Sequence, residues 1–291
     1  MKILIVGSSG FLGKSLRKYL SYEKFEIYTL SRNGESDFNF DISEFESFNV
    51  LPLNFFEVII NCATILPGLH YLNSQYLDSI YNTNIKGTQN ICKWINGQRS
   101  ITQILNCSSL SIYKRPLFGN SKEDSYIYPT GNHVLYSSSK LMQELIFETF
   151  AKEKEINLCQ FRFSALYGKG MAQNGILYNL INQAKHLDEI CIHNGDNVSF
   201  DFLNVKNASE IIISAIKNNY NGILNAASGK EIYLMELAKI ILSKIDKSKQ
   251  IVNTNIIGYS DRMNINIDKL QEIVDSSYFI EITTGLDELI D

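Results

Sequence analysis

Nothing in this 291-residue chain points to a metal centre or a disulfide framework. Its five cysteines, Cys62, Cys92, Cys107, Cys159 and Cys191, are odd in number, widely spaced and without a C-x-x-C pair. Such a set suits a reducing compartment, so a cytoplasmic location is expected. The four histidines, His70, His133, His186 and His193, show no ligand spacing and read as surface or polar-loop residues, so no metal is assigned. Clustered positive charge is missing too. A formal net charge of −4 and a pI near 5.7 speak against nucleic acid as a partner. No apolar run is long enough for a membrane span. The N-terminal MKILIVGSSG stops at a Gly-Ser turn, short of a signal h-region, and reads as a buried strand rather than an export signal. With only four prolines, and no Pro/Gly linker, repeat or low-complexity run, any two halves should share one cleft.

What is present is ordinary globular composition, 45% hydrophobic and 20% charged, in a chain long enough to bury a large core. Apolar runs of strand length alternate with amphipathic helix-length segments: Lys2 to Val6, Phe11 to Leu20, Phe25 to Leu30, Val58 to Cys62. The rhythm continues with a helix from about Asn73 to Trp94, a strand from Ile101 to Cys107, a helix from about Leu135 to Lys154 and a strand from Leu158 to Phe163. It predicts an α/β fold with a Rossmann-type, doubly wound parallel sheet. Beyond Phe163 the spacing is less regular: loops at Gly168 to Gly175 and Gly195 to Val198, helices near Ala208 to Lys217 and Leu234 to Lys244, and a polar tail. The expected division is a dinucleotide-binding domain over 1–163, with return segments about 199–225, and a smaller mixed α/β substrate lobe over 164–291. Between Ser109 and Leu135 a polar connection reads as a long functional loop.

The first strand ends in Gly7, Ser8, Ser9, Gly10, Phe11, Leu12 and Gly13, then runs into a helix. Glycines at this spacing permit a tight turn, close approach to a pyrophosphate and tight helix packing, while the helix N-terminus favours the anion. A tight turn with no ligand is the plainer alternative. The second strand ends in Leu30, Ser31, Arg32 and Asn33, with no acid before Glu35. An acid there would bind a ribose 2′-hydroxyl, whereas a cation accommodates a 2′-phosphate, so NADP(H) is favoured over NAD(H) unless Arg32 is only a solvated loop charge. Tyr136 and Lys140, four apart at the start of a helix, share one face. A cation beside a phenol lowers its pKa toward the working range. Alone, the pair would read as a helix-surface contact, but Ser109, at the carboxyl edge of the sheet, changes the balance. A serine at a strand end is more commonly a cap. With the glycine loop, Tyr136 and Lys140 in order, it reads as a carbonyl-binding hydroxyl.

These residues resemble the extended short-chain dehydrogenase/reductases, within them the nucleotide-sugar epimerase, dehydratase and reductase family, and the resemblance covers nearly the whole chain. Asp41-Ile42 is similar to the family's adenine-contacting pair, Cys62-Ala63-Thr64 to the strand end beside the nicotinamide ribose, and Asn84 to the helix asparagine that supports the site. Ser108 to Tyr113, Arg162 to Gly168, Asp201 to Val205 and Asn225 to Gly229 resemble further family segments. The resemblance implies Ser109, Tyr136 and Lys140 as catalytic. It implies cofactor contacts from Gly7, Ser9, Gly10, Phe11, Leu12, Gly13, Ser31, Arg32, Asp41, Ile42, Cys62, Ala63, Thr64, Asn84, Cys107, Tyr136, Lys140, Phe163 and Leu166. Substrate contacts are expected from Ser109, Ser111, Asn174 and Arg262, the last as a diphosphate clamp unless it is a solvated tail arginine. A nucleotide sugar is the implied substrate, and the two long helices resemble those that pair in family homodimers.

Some positions depart from the family pattern. Leu110-Ser111 stands where the dehydratases carry an Asp-Glu pair, so water elimination is not expected. Ala165 and Phe200 replace a substrate-contacting Asn and a phosphate-binding Arg of many relatives. The expected activity is NADPH-dependent reduction of a 4-keto group on a nucleotide-activated 6-deoxy or dideoxy sugar, for surface polysaccharide. An NAD-dependent 4-epimerase and a reductase of non-sugar carbonyls are the enzymatic alternatives. A catalytically silent NADP(H)-binding sensor or scaffold is the non-enzymatic one.

Overall fold

The computed structural model describes residues 1–67, 74–131 and 133–290. His70 and Asn73, read above as a polar-loop histidine and a helix start, lie outside them. In chain order the elements are β1 (Lys2–Val6), α1 (Phe11–Leu20), β2 (Glu26–Ser31), β3 (Phe38–Asn39), β4 (Val58–Asn61), α2 (Ser74–Ile80) and α3 (Gly87–Ile95). Then come β5 (Gln103–Ser109), α4 (Val134–Lys154), β6 (Asn157–Phe163), β7 (Ala165–Tyr167), α5 (Gly175–His186), β8 (Glu189–His193), β9 (Ser199–Asn204) and α6 (Val205–Lys217). The chain ends with β10 (Gly222–Ala226), β11 (Glu231–Tyr233), α7 (Leu234–Ile245), β12 (Gln250–Thr254) and three short helices, α8 (Asp268–Gln271), α9 (Ile282–Gly285) and α10 (Asp287–Ile290).

Seven parallel strands in the order β10-β6-β5-β4-β1-β2-β3 form the main sheet. The expected Rossmann-type architecture is thus present, and the apolar runs explain it. In β1, Ile3 and Ile5 enter one core with Leu16 and Leu20 of α1 and the apolar face of α6, while Leu4 and Val6 enter another with Ile91, Trp94 and Ile95 of α3 and Phe147 of α4. A strand buried on both faces has no polar alternation, which is why these segments read as continuous apolar runs. Helix α6 approaches α1 closely because both present serines there: Ser15 Oγ lies 2.9 Å from Ser209 Oγ.

Strands β11, β9 and β7 make a second sheet and β12 pairs with β8 in a third. Around them α5, α7 and Leu286 close a separate core. The polar tail expected after residue 245 is instead packed, with Leu270, Phe279 and Leu286 buried. Short helices with one or two apolar residues each carry too little periodicity to show in sequence. The expected loop between Ser109 and Leu135 is, over its described residues 110–131, a strap packed on the fold: Ile112, Tyr113 and Leu117 are buried, and it bridges to residues 262 and 265. Its backbone polar groups find partners in the distant 261–266 segment, which local spacing cannot reveal.

Below the carboxyl edge of the sheet lies a fully buried charge pair. Arg162 of β6 donates from Nε and Nη2 to the carboxylate of Glu144 on α4 at 3.1 and 2.9 Å. Its Nη1 donates to the Tyr113 hydroxyl at 2.9 Å and to the Glu123 carbonyl at 2.7 Å, and Tyr113 donates onward to Asn225 Oδ1 at 2.7 Å. One guanidinium therefore fixes α4, the strap and β10 on β6. Replacing one member of such a pair leaves the other charged and unsolvated, so Arg162→Met should cost about 3–5 kcal/mol in urea unfolding, and adding Glu144→Met should recover most of it. An unchanged unfolding midpoint in the single variant would refute this account.

Candidate active site

The loop after β1 turns under the constraint of two close approaches. Gly7 has φ +83°, and a Cβ added to it would sit 2.5 Å from the Ala63 nitrogen; a Cβ on Gly13 would sit 2.3 Å from the Gly7 carbonyl oxygen. No side chain could occupy either place, so α1 starts directly behind the turn. Its N-cap, Gly10, offers no side-chain acceptor to the first-turn N–H groups, which leaves them for an anion. In front opens a cavity of about 240 Å³ lined by Gly7, Ser9, Gly10, Ser31, Arg32, Asp41, Ile42 and Cys62 to Thr64, among others. Gly7 to Ile42 in this set are those expected at the adenosine and phosphate end of a dinucleotide, and Cys62 to Thr64 those expected beside its nicotinamide ribose. Phe40, Ile65 and Thr83 also line it, and spacing gave no sign of them. The donor-rich turn, the glycine cradle and the exposed cation Arg32 at the cavity rim fit NAD(P).

At the end of β2, Ser31 Oγ donates to the Asn33 carbonyl at 2.6 Å, and Ser36 Oγ lies 2.8 Å from Ser31 Oγ and 3.0 Å from Ser8 Oγ. The hydroxyls fold the 31–36 turn against the glycine loop. Arg32 lies 3.8 Å from Asp41, with both side chains substantially exposed.

The chemistry gathers where β5 meets α4. Ser109, last residue of β5, accepts a hydrogen bond from the Ser111 N–H at 3.2 Å and is also hydrogen-bonded to the Tyr136 side chain. It caps a single 3₁₀ turn, Leu110–Ile112, as the plainer alternative has it, and faces the phenol as well. Burial pushes the Tyr136 phenol up to about 12, against a smaller pull downward from Ser109. The phenol is therefore protonated near neutrality.

Lys140, one turn further along α4, is almost fully buried, and its Nζ donates to the Cys107 carbonyl at 2.7 Å and to Gln143 Oε1 at 2.9 Å. Gln143 Nε2 donates to Thr88 Oγ1 at 3.1 Å, and Thr88 donates to the Asn84 carbonyl at 2.8 Å. The sequence reading missed Gln143 and Thr88, although Gln143 stands three residues from Lys140 on the same helix face. Asn84 lies in a π-helical stretch, Tyr81–Lys86, between α2 and α3. Such bulges re-aim side chains and recur at functional sites. Its Oδ1 accepts from the Ile65 N–H at 2.8 Å and its Nδ2 donates to Ser139 Oγ at 2.8 Å. Asn84 is wholly buried and was expected to touch the cofactor; the structure makes it a brace between the post-β4 loop and α4. Phe163 is also buried, in the core under the site, while Phe11, Leu12 and Leu166 remain half-buried.

The expected substrate contacts are not gathered in the same way. Asn174 is an exposed N-cap of α5, and Ser111 Oγ is buried with no hydrogen-bond partner. Arg262 donates to both carboxylate oxygens of Glu231, at 3.0 and 2.8 Å, with its guanidinium 5.7 Å from the Tyr233 ring centroid. That contact pulls the Glu231 carboxyl below its usual range. Ala165 opens β7, and Phe200 packs at 5.7 Å against Phe202, so these positions present apolar surface. Among the described residues no group of three or more His, Cys, Asp or Glu side chains is placed to hold a metal ion.

The profile of the NAD dependent epimerase/dehydratase family matches residues 3–227. Protein CapI of Staphylococcus aureus is 23% identical over 338 aligned positions, covering 100% of this chain and 98% of the relative. The dTDP-4-dehydro-6-deoxyglucose reductase of Escherichia coli is 21% identical over 287 positions, covering 91% of this chain and 86% of the relative. The solved structure of RMD from Pseudomonas aeruginosa complexed with NADPH superposes with a TM-score of 0.84 at 18% identity, covering 99% of this chain and 97% of that one. At that identity the structural likeness is one of fold.

Burial lowers the Lys140 ammonium to about 8 from the ordinary 10.5. Between those values the unfolded chain binds more protons than the folded one, so this residue makes stability rise with pH from about 8 to about 10.5. Chemical denaturation across that window should show the wild-type protein gaining on Lys140→Met. A gap that does not change with pH would contradict the lowered pKa.

Proposed function

As the chain belongs to the NAD-dependent epimerase/dehydratase family and is an NAD(P)-dependent enzyme of the extended short-chain dehydrogenase/reductase type, we propose that it reduces the 4-keto group of a nucleotide-activated 6-deoxy or dideoxy sugar with NADPH, in the making of surface polysaccharide. The observation that carries this reading is the end of β2. There Arg32 lines the nucleotide cavity among hydroxyls and amides, a setting for a 2′-phosphate. An exchangeable NADPH suits net reduction, whereas an epimerase that oxidises and re-reduces one sugar gains nothing from it. The similarity to a dTDP-4-dehydro-6-deoxyglucose reductase and to CapI supports the substrate class.

When bound, the nicotinamide supplies the hydride. Tyr136, protonated in its buried setting, gives its proton to the carbonyl oxygen as charge builds there, and Ser109 donates to the same oxygen. Lys140 has two donors committed to Cys107 and Gln143 and a third for a ribose hydroxyl. Contrary to the expectation from spacing, the phenol is not brought toward the working range by the lysine, since burial holds it at about 12 and only Ser109 pulls it down, so the part of Lys140 is to hold the ribose. Arg262 holds the diphosphate by exchanging Glu231 for it. Leu110 and Ser111 supply no acid-base pair for elimination.

We place the enzyme in the cytoplasm as a homodimer. Supporting that assembly, Leu77 and Tyr81 near α2 and Met142 and Leu145 on α4 are exposed apolar side chains on the helices expected to pair. No helix among the described residues is long and apolar enough to cross a membrane.

Asp41 favours a second reading. Its carboxylate, 3.8 Å from Arg32, offsets that charge in the same cavity, as would suit NAD and a 4-epimerase. Absorbance assays with 4-keto nucleotide sugars separate the two: stoichiometric NADPH consumption establishes the reductase. Co-purified NAD with interconversion of two epimers establishes the epimerase. Arg32→Ala should weaken NADPH about tenfold while leaving NADH affinity unchanged, the loss of one charge-assisted contact. Tyr136→Phe should abolish turnover and spare dinucleotide binding; turnover at the wild-type rate would remove Tyr136 as the proton donor.

A further inference from the structure

A thiol pair sits behind the nucleotide cavity. Parallel pairing of β4 with β5 in the register Asn61 to Asn106 brings the next residues, Cys62 and Cys107, side by side, with their Sγ atoms 3.6 Å apart. Neighbouring strands run ~4.8 Å apart, within the span of Cα separations a disulfide bridges. To bond at ~2.0 Å the sulfurs must close by about 1.6 Å, the difference from their 3.6 Å separation. Cys62 lines the cavity and is half-buried, so a small oxidant can reach it; Cys107 lies buried behind it.

Both strand ends carry parts of the site. The Cys107 carbonyl anchors the Lys140 ammonium at 2.7 Å. The Cys62 carbonyl carbon lies 2.8 Å from where a Cβ on Gly7 would be, so the glycine turn rests against it. Drawing the two cysteines together displaces the lysine anchor and the seat of the glycine turn at once.

We propose that Cys62 and Cys107 form a reversible disulfide that disables the dinucleotide site, with a hydroperoxide entering the cofactor cavity as oxidant. The Cys62 thiolate attacks the terminal peroxide oxygen, the O–O bond breaks and water or alcohol leaves, giving a sulfenic acid. The Cys107 sulfur then attacks that sulfur, the S–S bond forms and the hydroxyl leaves as water. Two thiols lose two electrons and two protons, and the peroxide takes them up. A dithiol reductant reverses the change. The bond to Cys107, then burial, raises the Cys62 thiol well above its usual range, while Lys140 opposes that rise, so the oxidation is slow. The effect on cofactor rests on the reading of the cavity as a dinucleotide site; the thiol chemistry does not.

The test uses the full chain carrying Cys191→Ser, which removes the exposed thiol. It is treated with hydrogen peroxide and followed by intact mass and by peptide mapping without reduction. The expected result is the loss of two hydrogens, a peptide joining Cys62 to Cys107, and restoration by dithiothreitol. NADPH affinity of the oxidised fraction should fall at least about tenfold and return on reduction, and NADPH added first should slow the oxidation. Sulfinic or sulfonic products without a cross-link, or a Cys107–Cys159 link, overturn the proposal. So does a Cys62–Cys107 link with undiminished NADPH affinity. If the reduced protein binds neither dinucleotide, the cofactor reading fails, and the mass and peptide results still decide whether the disulfide forms.

Discussion

An ammonium group with almost no solvent around it has to be held by the chain, and the bond from Lys140 to the Cys107 carbonyl holds it. That contact pins α4 to the end of β5, and the rest of the site takes its position from it. Tyr136 lies one helical turn before the lysine and so falls opposite Ser109, two residues past the carbonyl. Gln143, Thr88 and Asn84 complete the circuit to the loop after β4. Beneath it, Arg162 and Glu144 keep the same helix from rotating on the sheet. Two buried cations on adjacent layers, each answered by specific acceptors, allow one geometry and penalise others.

The parallel core and the glycine turn were legible because their signals are local. Runs such as Lys2 to Val6 and Val58 to Cys62 are apolar throughout since both faces of the sheet are covered, and Gly13 is demanded by Gly7 and Ser8 a few residues away, while the contact of Gly7 with the distant Ala63 adds to a turn already marked by its glycine spacing. Ser109, Tyr136 and Lys140 could be named from order and spacing. What escaped reading depends on distant partners. Glu123 looks like a loop acid but is buried, its Oε1 accepting from the Asn225 N–H at 2.9 Å. The 261–266 segment looks like tail until it is seen bonded to Leu117 and Ser121. Asn84 reads both as a support of the site and as a cofactor contact, but the partners it braces, Ile65 and Ser139, and its π-helical setting are not visible in sequence.

The lobe obeys a different constraint. Arg262 is already matched by Glu231, and Phe200 and Ala165 present apolar surface. Were a diphosphate to bind at Arg262, as proposed, the cation would first have to leave a carboxylate, so anion binding there would be an exchange between two acceptors. Affinity at such a place is set by the difference between the two partners, which favours ligands carrying more than one negative charge.

The packed end of the chain bears on how the protein is made. Leu286 is fully buried in the lobe core, and Gly285 sits so close under Tyr167 that an added Cβ would lie 2.2 Å from its hydroxyl. Strands β1 to β6 leave the ribosome early, yet the sheet lacks its β10 edge until residue 226 emerges, one of its cores lacks Ile265, Leu270 and Phe279 until later still, and the lobe core lacks Leu286. A nascent chain therefore shows apolar surface in both halves until these segments emerge, an interval in which chaperone contact would be aimed at either.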